Sequence, residues 1–328
     1  MVEGKYRSGD LTISILANSI SVNMLELYGF PFSAMGTECN LYFYVEQESR
    51  AQGVADATIA EVTRIEAKYS RYLPGSVLSK INQAAQNGGE VVVDEDTAWL
   101  LDFAFSCHKR SGGLFDITSG VLRKAWADFT IDKLPDGKFI ESLLLKVGMD
   151  KILWSDHKLR FTVPGMELDF GGICKEYASD RAADICVSHG VNRGMVDLGG
   201  DINVFGPHPN GDPWEIGIRH PRRPGELLGN VEIHKGSLAS SGDYERCVVI
   251  GGVRYGHILN PKTGWPARGT ASVSVVADKC VVAGSLTTIA ILKGTDGVRW
   301  LESLNEKYLW VDEDGNQGGN LPLKGQGA

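Results

Sequence analysis

Leu168-Asp-Phe-Gly-Gly-Ile-Cys-Lys-Glu-Tyr-Ala-Ser-Asp180 begins as an apolar run, breaks at Gly171-Gly172 and continues with helical character. Lys175 and Glu176 fall near the first turn of a predicted helix that runs to about His189, with Gly190 as its stop. A strand, a glycine turn and a helix N-terminus together make a place for an anion, because free backbone N–H groups and the helix dipole both favour negative charge. Glycines also let a ligand approach the backbone closely. Taken alone, the same letters fit an ordinary strand-to-helix turn, since they match no phosphate-loop pattern.

Outward from this turn the chain alternates between strand and helix signals. Glu38 to Glu46 places Cys39, Leu41, Phe43 and Val45 on one face, the pattern of a half-buried strand. Gln52 to Tyr69 carries apolar residues at helical spacing. Val91 to Val93 reads as a short strand, and Thr97 to Arg110 as a helix with Asp94 or Asp96 as cap and Gly112 as stop. A further helix is expected from the Phe115-Asp-Ile-Thr-Ser-Gly120 segment to Trp126, and a short one at 139–147. Beyond the central stretch, Met195 to Leu198, Trp214 to Ile218, Val231 to Ile233, Arg246 to Ile250 and Ser272 to Ala277 read as strands, and Ala283 to Leu292 as a buried helix. Strands outnumber helices and hairpin-like connections are common, which predicts an α+β fold of mostly antiparallel sheets with packed helices. The expected organisation is an N-terminal extension over 1–29, one domain over 30–312 and a frayed, Gly-rich tail over 313–328.

Composition removes several function classes. A net charge of −8 and a pI near 5.4 argue against nucleic-acid binding, which needs a basic face. The N-terminal Leu11-Thr-Ile-Ser-Ile-Leu-Ala-Asn-Ser-Ile20 follows Lys5 and Arg7 but is too polar for a signal-peptide core; its alternation reads as a strand. No run is long and apolar enough to span a bilayer. The six cysteines form no C-x-x-C pair and sit in apolar runs, so buried free thiols and a cytoplasmic location are expected. There is no G-x-G-x-x-G, no G-x-x-x-x-G-K-[ST], no H-E-x-x-H and no G-x-S-x-G, and no histidine pair at zinc-ligand spacing.

The positive signals lie in the second half. Ser241-Gly-Asp-Tyr-Glu-Arg246 combines a turn with three charged side chains, and His257 follows in Gly256-His-Ile-Leu-Asn-Pro-Lys-Thr-Gly264. A hairpin between them would bring Asp243 to His257, and a carboxylate beside a histidine fixes its tautomer and raises its basicity, as a general base requires. A surface histidine in a Pro/Gly turn fits the same letters.

A set of ordered motifs gives the chain a resemblance over roughly residues 30–295. They are Ala34-Met-Gly-Thr37, Glu66 with Ser70-Arg-Tyr72, Ser76 to Asn82, Phe115-Asp-Ile-Thr118 with Trp126, and Leu168 to Asp180. They continue with Asp197-Leu-Gly-Gly-Asp201 before Trp214, Ser240 to Arg246, His257 to Gly264, and the Val273 to Leu292 region. In these the chain resembles the ApbE family, the FAD:protein FMN transferases. The resemblance implies an ApbE-like, T-fold-like architecture and a magnesium-dependent enzyme. Such an enzyme cleaves FAD, joins FMN to a Thr or Ser hydroxyl of an acceptor flavoprotein and releases AMP. It implies His257 as the base, with Asp243 and Arg246 shaping its surroundings. It places FAD contacts on Met35, Tyr72, Leu114, Phe115, Asp116, Asp169, Lys175 and Leu259.

The resemblance also implies a Mg2+ site built from the Gly172 carbonyl, Thr288 and an aspartate at the position of Gly284. Here that aspartate is absent, and Glu176 stands where the family commonly has glycine. Magnesium usually keeps one or two carboxylates, so a weakened metal site is expected, and Gly284→Asp is expected to tighten it. The same departure motivates two other readings, an FAD-binding or flavin-delivery protein and an FAD pyrophosphatase.

Overall fold

The alternation of Cys39, Leu41, Phe43 and Val45 produces a strand whose one face is wholly buried and whose other face is not. A computed structural model of the chain describes residues 24–126 and 133–325. The Leu11 to Ile20 segment lies outside these residues. β1 (Glu26–Ala34) and β2 (Thr37–Val45) form an antiparallel hairpin in which Ala34 opposes Thr37. Its turn is Met35-Gly36, with φ of 54° and 72°. Positive φ at both turn residues is what a two-residue type I′ hairpin requires, because it matches the twist of the strands.

β2 continues into an eight-stranded antiparallel sheet in the order β1-β2-β6-β7-β10-β13-β14-β15. The added strands are β6 (Gly194–Leu198), β7 (Asp201–Gly206), β10 (Gly236–Gly242), β13 (Thr270–Ala277), β14 (Lys307–Asp312) and β15 (Gln317–Gly319). Neighbouring residues point to opposite faces. Leu41, Val196, Ala239 and Val275 face the helices, whereas Leu238 and Val276 face a two-stranded ribbon. That ribbon is β8 (Trp214–Arg219) with β9 (Leu227–Ile233), and it covers the sheet with Trp214, Ile216, Ile218 and Val231. A small sheet of β3 (Glu90–Val92), β5 (Lys158–Phe161) and β4 (Ile152–Ser155) and the hairpin of β11 (Cys247–Ile250) with β12 (Val253–Gly256) complete the strands.

The helical face carries α1 (Glu48–Tyr69), α5 (Cys174–Ser188) and α6 (Cys280–Leu292). Behind α1 lie α2 (Val77–Gln86) and α3 (Glu95–Ser111). α3 starts where its carboxylate cap predicts: Asp94 accepts from the Thr97 N–H, and Gly112 ends the helix at φ 69°. α4 (Gly137–Leu144) and α7 (Asp296–Glu302) are short. No described helix is long and apolar enough to cross a membrane.

The α+β reading with mainly antiparallel sheets holds, and three boundaries differ from the sequence expectations. The helix expected from Phe115 to Trp126 is only a 3₁₀ turn at Gly120–Lys124, because the Asp116 carboxylate takes the Thr118 N–H into a local turn instead. β1 reaches back to Glu26, inside the expected extension. The tail expected to fray is ordered as far as residue 325: β15 pairs with β14, Leu321 is buried, and Lys324 bridges to Asn230. The glycines that suggested fraying permit this. A Cβ on Gly318 would lie 2.8 Å from the Trp310 ring, and one on Gly319 would lie 2.1 Å from the Tyr308 carbonyl oxygen.

One contact sets α6 against α5. The first turn of α6 has no side-chain cap of its own. Asp180 of α5 supplies it, accepting from the Cys280 N–H at 2.8 Å, the Val281 N–H at 3.0 Å and Asn203 Nδ2 at 2.7 Å. We predict that Asp180→Ala lowers unfolding stability by about 1–3 kcal/mol in a urea titration, since buried donors lose a charged acceptor. An unchanged midpoint would show that α6 is held by apolar packing alone.

Candidate active site

The central turn is fixed from behind before any ligand is considered. Asn82 of α2 brackets Leu168: its Oδ1 accepts from the Leu168 N–H at 2.7 Å and its Nδ2 donates to the Leu168 carbonyl at 3.0 Å. The Asp169 N–H then donates to the Ile117 carbonyl at 2.8 Å. Gly120 lies so close that a Cβ there would fall 2.8 Å from the Glu167 carbonyl oxygen and 3.1 Å from Asp169 Cβ. The Phe115 and Leu168 segments are therefore one unit, as a shared binding role needs.

Asp169 is heavily engaged. Its Oδ1 accepts from the Gly171 N–H at 2.8 Å, and its Oδ2 lies 2.6 Å from Arg71 Nη1 and 3.0 Å from Arg123 Nε. Arg71 also sits over the Tyr72 ring at 5.0 Å, and that ring is 77% exposed. Tyr72 thus offers a free aromatic face at the rim, with its orientation set by Arg71. Asp116 is turned inward: Oδ1 accepts from the Thr118 N–H at 2.8 Å and hydroxyl at 2.5 Å, and Oδ2 from the Met149 N–H at 3.3 Å. Its side chain organises the loop that presents half-buried Leu114 and buried Phe115, whose ring lies 3.4 Å from where a Cβ on Gly172 would sit. Leu259 is half-buried against the Val121, Leu122 and Leu143 cluster.

The β1–β2 tip meets this region from the other side. Met35 holds a left-handed conformation that a non-glycine residue adopts only at a cost. Its N–H donates to Glu66 Oε1 at 2.7 Å. Ser33, Ala34, Gly36, Thr37, Glu38 and Glu66 line an adjoining cleft of about 410 Å³. Gly199, at φ 65°, packs so tightly on the tip that a Cβ would lie 2.4 Å from Thr37 Oγ1. The Arg246 guanidinium lies across Gly36.

Lys175 points into the sheet, with Nζ 2.6 Å from Asp201 Oδ2 and donating to the Leu198 carbonyl at 3.2 Å. Burial alone would lower its pKa; the charges of Asp201 and Glu176 outweigh that and raise it. His257 is exposed to solvent in part, with enough protein around it to cost hydration. The enclosure lowers its pKa, Glu245 opposes, and Arg246 and Lys175 push further down. A neutral imidazole reachable from solvent can accept a proton.

The expected partnership of Asp243 with His257 takes a different form. The β11–β12 hairpin does bring the segment before His257 onto Asp243: a Cβ on Gly256 would lie 3.2 Å from Asp243 Cβ. Both Asp243 oxygens, however, accept from Arg222, at 2.6 and 2.8 Å. Arg222, which the sequence reading did not single out, thus holds Asp243, and Glu245 acts on His257 through its charge. Arg222 sits in a Pro-flanked turn with no spacing that links it to Asp243, so nothing in the sequence marked it.

At Gly284, where the resemblance implies an aspartate, the space beside the helix is occupied. A Cβ there would lie 2.5, 2.6 and 2.9 Å from Glu176 Cγ, Oε1 and Cδ, so the Glu176 carboxyl already fills that volume. Glu176 is 7% exposed, and its Oε2 has no hydrogen-bond partner among the described residues. Thr288 stands one turn beyond Gly284, half-buried. Thr287 is the tied neighbour, its Oγ1 donating to the Gly284 carbonyl at 2.8 Å and pairing with Ser241 Oγ at 2.7 Å. Among the described residues no three His, Cys, Asp or Glu side chains converge as a metal site. A cation here would draw on one carboxylate with hydroxyl and carbonyl oxygens, the hard set that magnesium completes with water and phosphate. The orphaned buried Glu176 oxygen fits such an ion.

Fold and site together define an α+β protein that presents His257 among the charges of Glu245, Arg246 and Lys175, with a cleft lined by Glu38 and Glu66 at the β1–β2 tip. A model of the ApbE family matches residues 35–310. The chain is 28% identical over 301 residues to the FAD:protein FMN transferase of Haemophilus influenzae, covering 87% of this chain and 85% of that protein. It is 29% identical over 271 residues to the FAD:protein FMN transferase of Rhodobacter capsulatus, covering 81% of this chain and about half, 51%, of that longer relative. The crystal structure of the ApbE protein of Thermotoga maritima superposes with a TM-score of 0.83 at 32% identity, over 90% of this chain and 97% of that one. The flavin transferase ApbE of Vibrio cholerae gives 0.81 at 25% identity, over 90% and 97%. The chain belongs to the ApbE family.

The buried Glu176 carboxyl carries a pH signature. Burial raises its pKa above the ordinary 4.5, Asp201 adds to the rise and Lys175 opposes it. The folded chain therefore holds this proton to higher pH than the unfolded chain does. That contribution to stability is complete below the unfolded value and is lost as pH climbs through the raised one. In chelator-treated protein, the urea midpoint should fall as pH rises above 4.5, and Glu176→Gln should flatten that slope. Parallel slopes for the two proteins would assign the effect to other groups.

Proposed function

We propose that this transferase of the ApbE family is an FAD:protein FMN transferase. It moves the FMN half of FAD onto a Thr or Ser hydroxyl of an acceptor flavoprotein and releases AMP. The observation that carries this reading is the placement of His257. It is a solvent-reachable imidazole of lowered pKa, set in one electrostatic neighbourhood with Arg246, Glu245 and Lys175. Family membership supplies the substrate, and the free cysteines suit a cytoplasmic setting.

In this reading Tyr72 and Met35 flank the flavin or adenine ring, while Leu114, Phe115 and Leu259 supply apolar contact. Asp169 keeps a ligand-facing edge only by sharing it with Arg71 and Arg123. Lys175 and the N–H groups of the α5 first turn provide positive potential for the pyrophosphate. His257 takes the proton of the acceptor hydroxyl. The oxygen then attacks the FMN phosphorus, the bond from that phosphorus to the bridging oxygen breaks, and AMP leaves with the electron pair. Magnesium, held by Thr288 and the Gly172 carbonyl, would neutralise charge on the pyrophosphate when bound. Asp243 positions the chain before His257 through Arg222 and does not itself orient the ring.

Incubation with FAD, magnesium and a protein carrying a flavinylation motif separates the readings: a fluorescent acceptor marks a transferase, free FMN a pyrophosphatase, and unchanged FAD a carrier. His257→Ala should reduce FMN transfer by roughly 10²–10⁴-fold, the usual contribution of a positioned base, with little change in FAD binding followed by flavin fluorescence. Transfer at the parent rate would remove His257 from the mechanism.

A further inference from the structure

We propose that Glu176 is this chain's carboxylate ligand for a divalent cation of the magnesium class, delivered from α5 into the space that Gly284 leaves on α6. The proposal rests on the transferase reading for its purpose, but on contacts within this chain for its substance.

The first contact is one of volume. A Cβ at position 284 would fall within 3 Å of three Glu176 atoms, so one region can hold a side chain from 176 or from 284 and not from both. Gly284 is buried in the middle of α6, where glycine costs helix stability relative to alanine. The Glu176 carboxyl gives a reason for that cost.

The second is an unmet valence. Glu176 is more than nine-tenths buried, and Oε2 has no partner among the described residues. Lys175, whose charge acts on Glu176, is committed to Asp201 at 2.6 Å and to the Leu198 carbonyl. Asp180, on the next turn of α5, is spent on the α6 N-terminus and Asn203. Of the buried acids on this face, Glu176 is the one with an oxygen, Oε2, that no donor among the described residues meets. Buried charges are paired or coordinate metals.

The third is the company of hard oxygens. Thr288 lies one helical turn past Gly284 and is half-buried. Gly172 opens the turn four residues before Glu176. Helix α6 is held against α5 by Asp180, so the Thr288 and Glu176 positions are fixed relative to each other. A carboxylate, a hydroxyl and a carbonyl leave room for water and phosphate oxygens, as magnesium prefers.

The expectation that Gly284→Asp tightens metal binding is therefore reversed. On the parent background the new carboxylate would collide with the existing one.

The test uses Mn2+ as the probe, titrated into the full chain with and without FAD and followed by the loss of the free-ion electron paramagnetic resonance signal. Glu176→Gln keeps the volume and removes the charge. It should unfold cooperatively, as the parent does, yet bind Mn2+ roughly 10-fold or more weakly, since even groups outside a ligand shell cost that much. Gly284→Asp alone should also weaken binding. The exchanged pair, Glu176→Gly with Gly284→Asp, should bind close to the parent and more tightly than Glu176→Gly alone. A parent that takes up no Mn2+, a glutamine variant that binds like the parent, or an exchanged pair no better than Glu176→Gly would each overturn the assignment. FAD binding and FMN transfer by the parent are measured in the same samples. Their failure would sink the transferase reading, while the titration without FAD still decides the role of Glu176.

Discussion

Asp180 ties three elements with one carboxylate. It receives two backbone N–H groups from the start of α6 and one side-chain donor from β7, while belonging to α5. A helix start buried without such acceptors would leave orphaned donors. The tie fixes both the position of α6 and its rotation about its own axis. Rotation matters more here, because it decides that Gly284 faces Glu176 and that Thr287 reaches Ser241 on β10. The contact between Glu176 and Gly284 is thus a consequence of how α6 is capped.

The same low-dielectric region holds carboxyls treated in different ways. Asp180 is satisfied by neutral donors. Asp201 is paired with Lys175. Glu176 has no charged partner directed at it and carries a pKa raised by burial. A buried acid can stay neutral by keeping a proton or be neutralised by a cation. With Lys175 already paired to Asp201, those are the two states open to Glu176, and the proposed divalent ion would exchange one for the other. The hairpin tip opposite is held by comparable economy: Glu66 accepts the Met35 N–H and so supports a left-handed residue beside the cleft.

Much of the fold was legible because its signals are local. Period-two burial in β2, the Asp94 cap and Gly112 stop of α3, and the helix after Gly171-Gly172 all follow from residues within a few positions of one another. The failures came where a distant group won. Asp116 looked like part of the opening of a helix, and its carboxylate organises the Thr118 turn and Met149 instead. The glycines near 318 looked like a loose end, and close approach to Trp310 and Tyr308 is what requires them. Asp243 was matched to His257 by proximity along a hairpin, while Arg222, 21 positions away across a turn, claims both oxygens.

The proposed cation site shows the same limit most sharply. In the sequence, Gly284 and Glu176 are two separate departures from the family pattern, more than a hundred positions apart. One reads as a lost ligand, the other as a tolerated change at a helix start. In space they are a single event, because the atoms of one fill the volume vacated by the other. A deletion judged by itself predicts weakened metal binding. A deletion paired with an insertion into the same volume predicts a relocated ligand, entering from α5 instead of α6 and with a longer side chain. The physical distinction rests on volume exclusion and on an oxygen with no partner, neither of which has any expression in residue order.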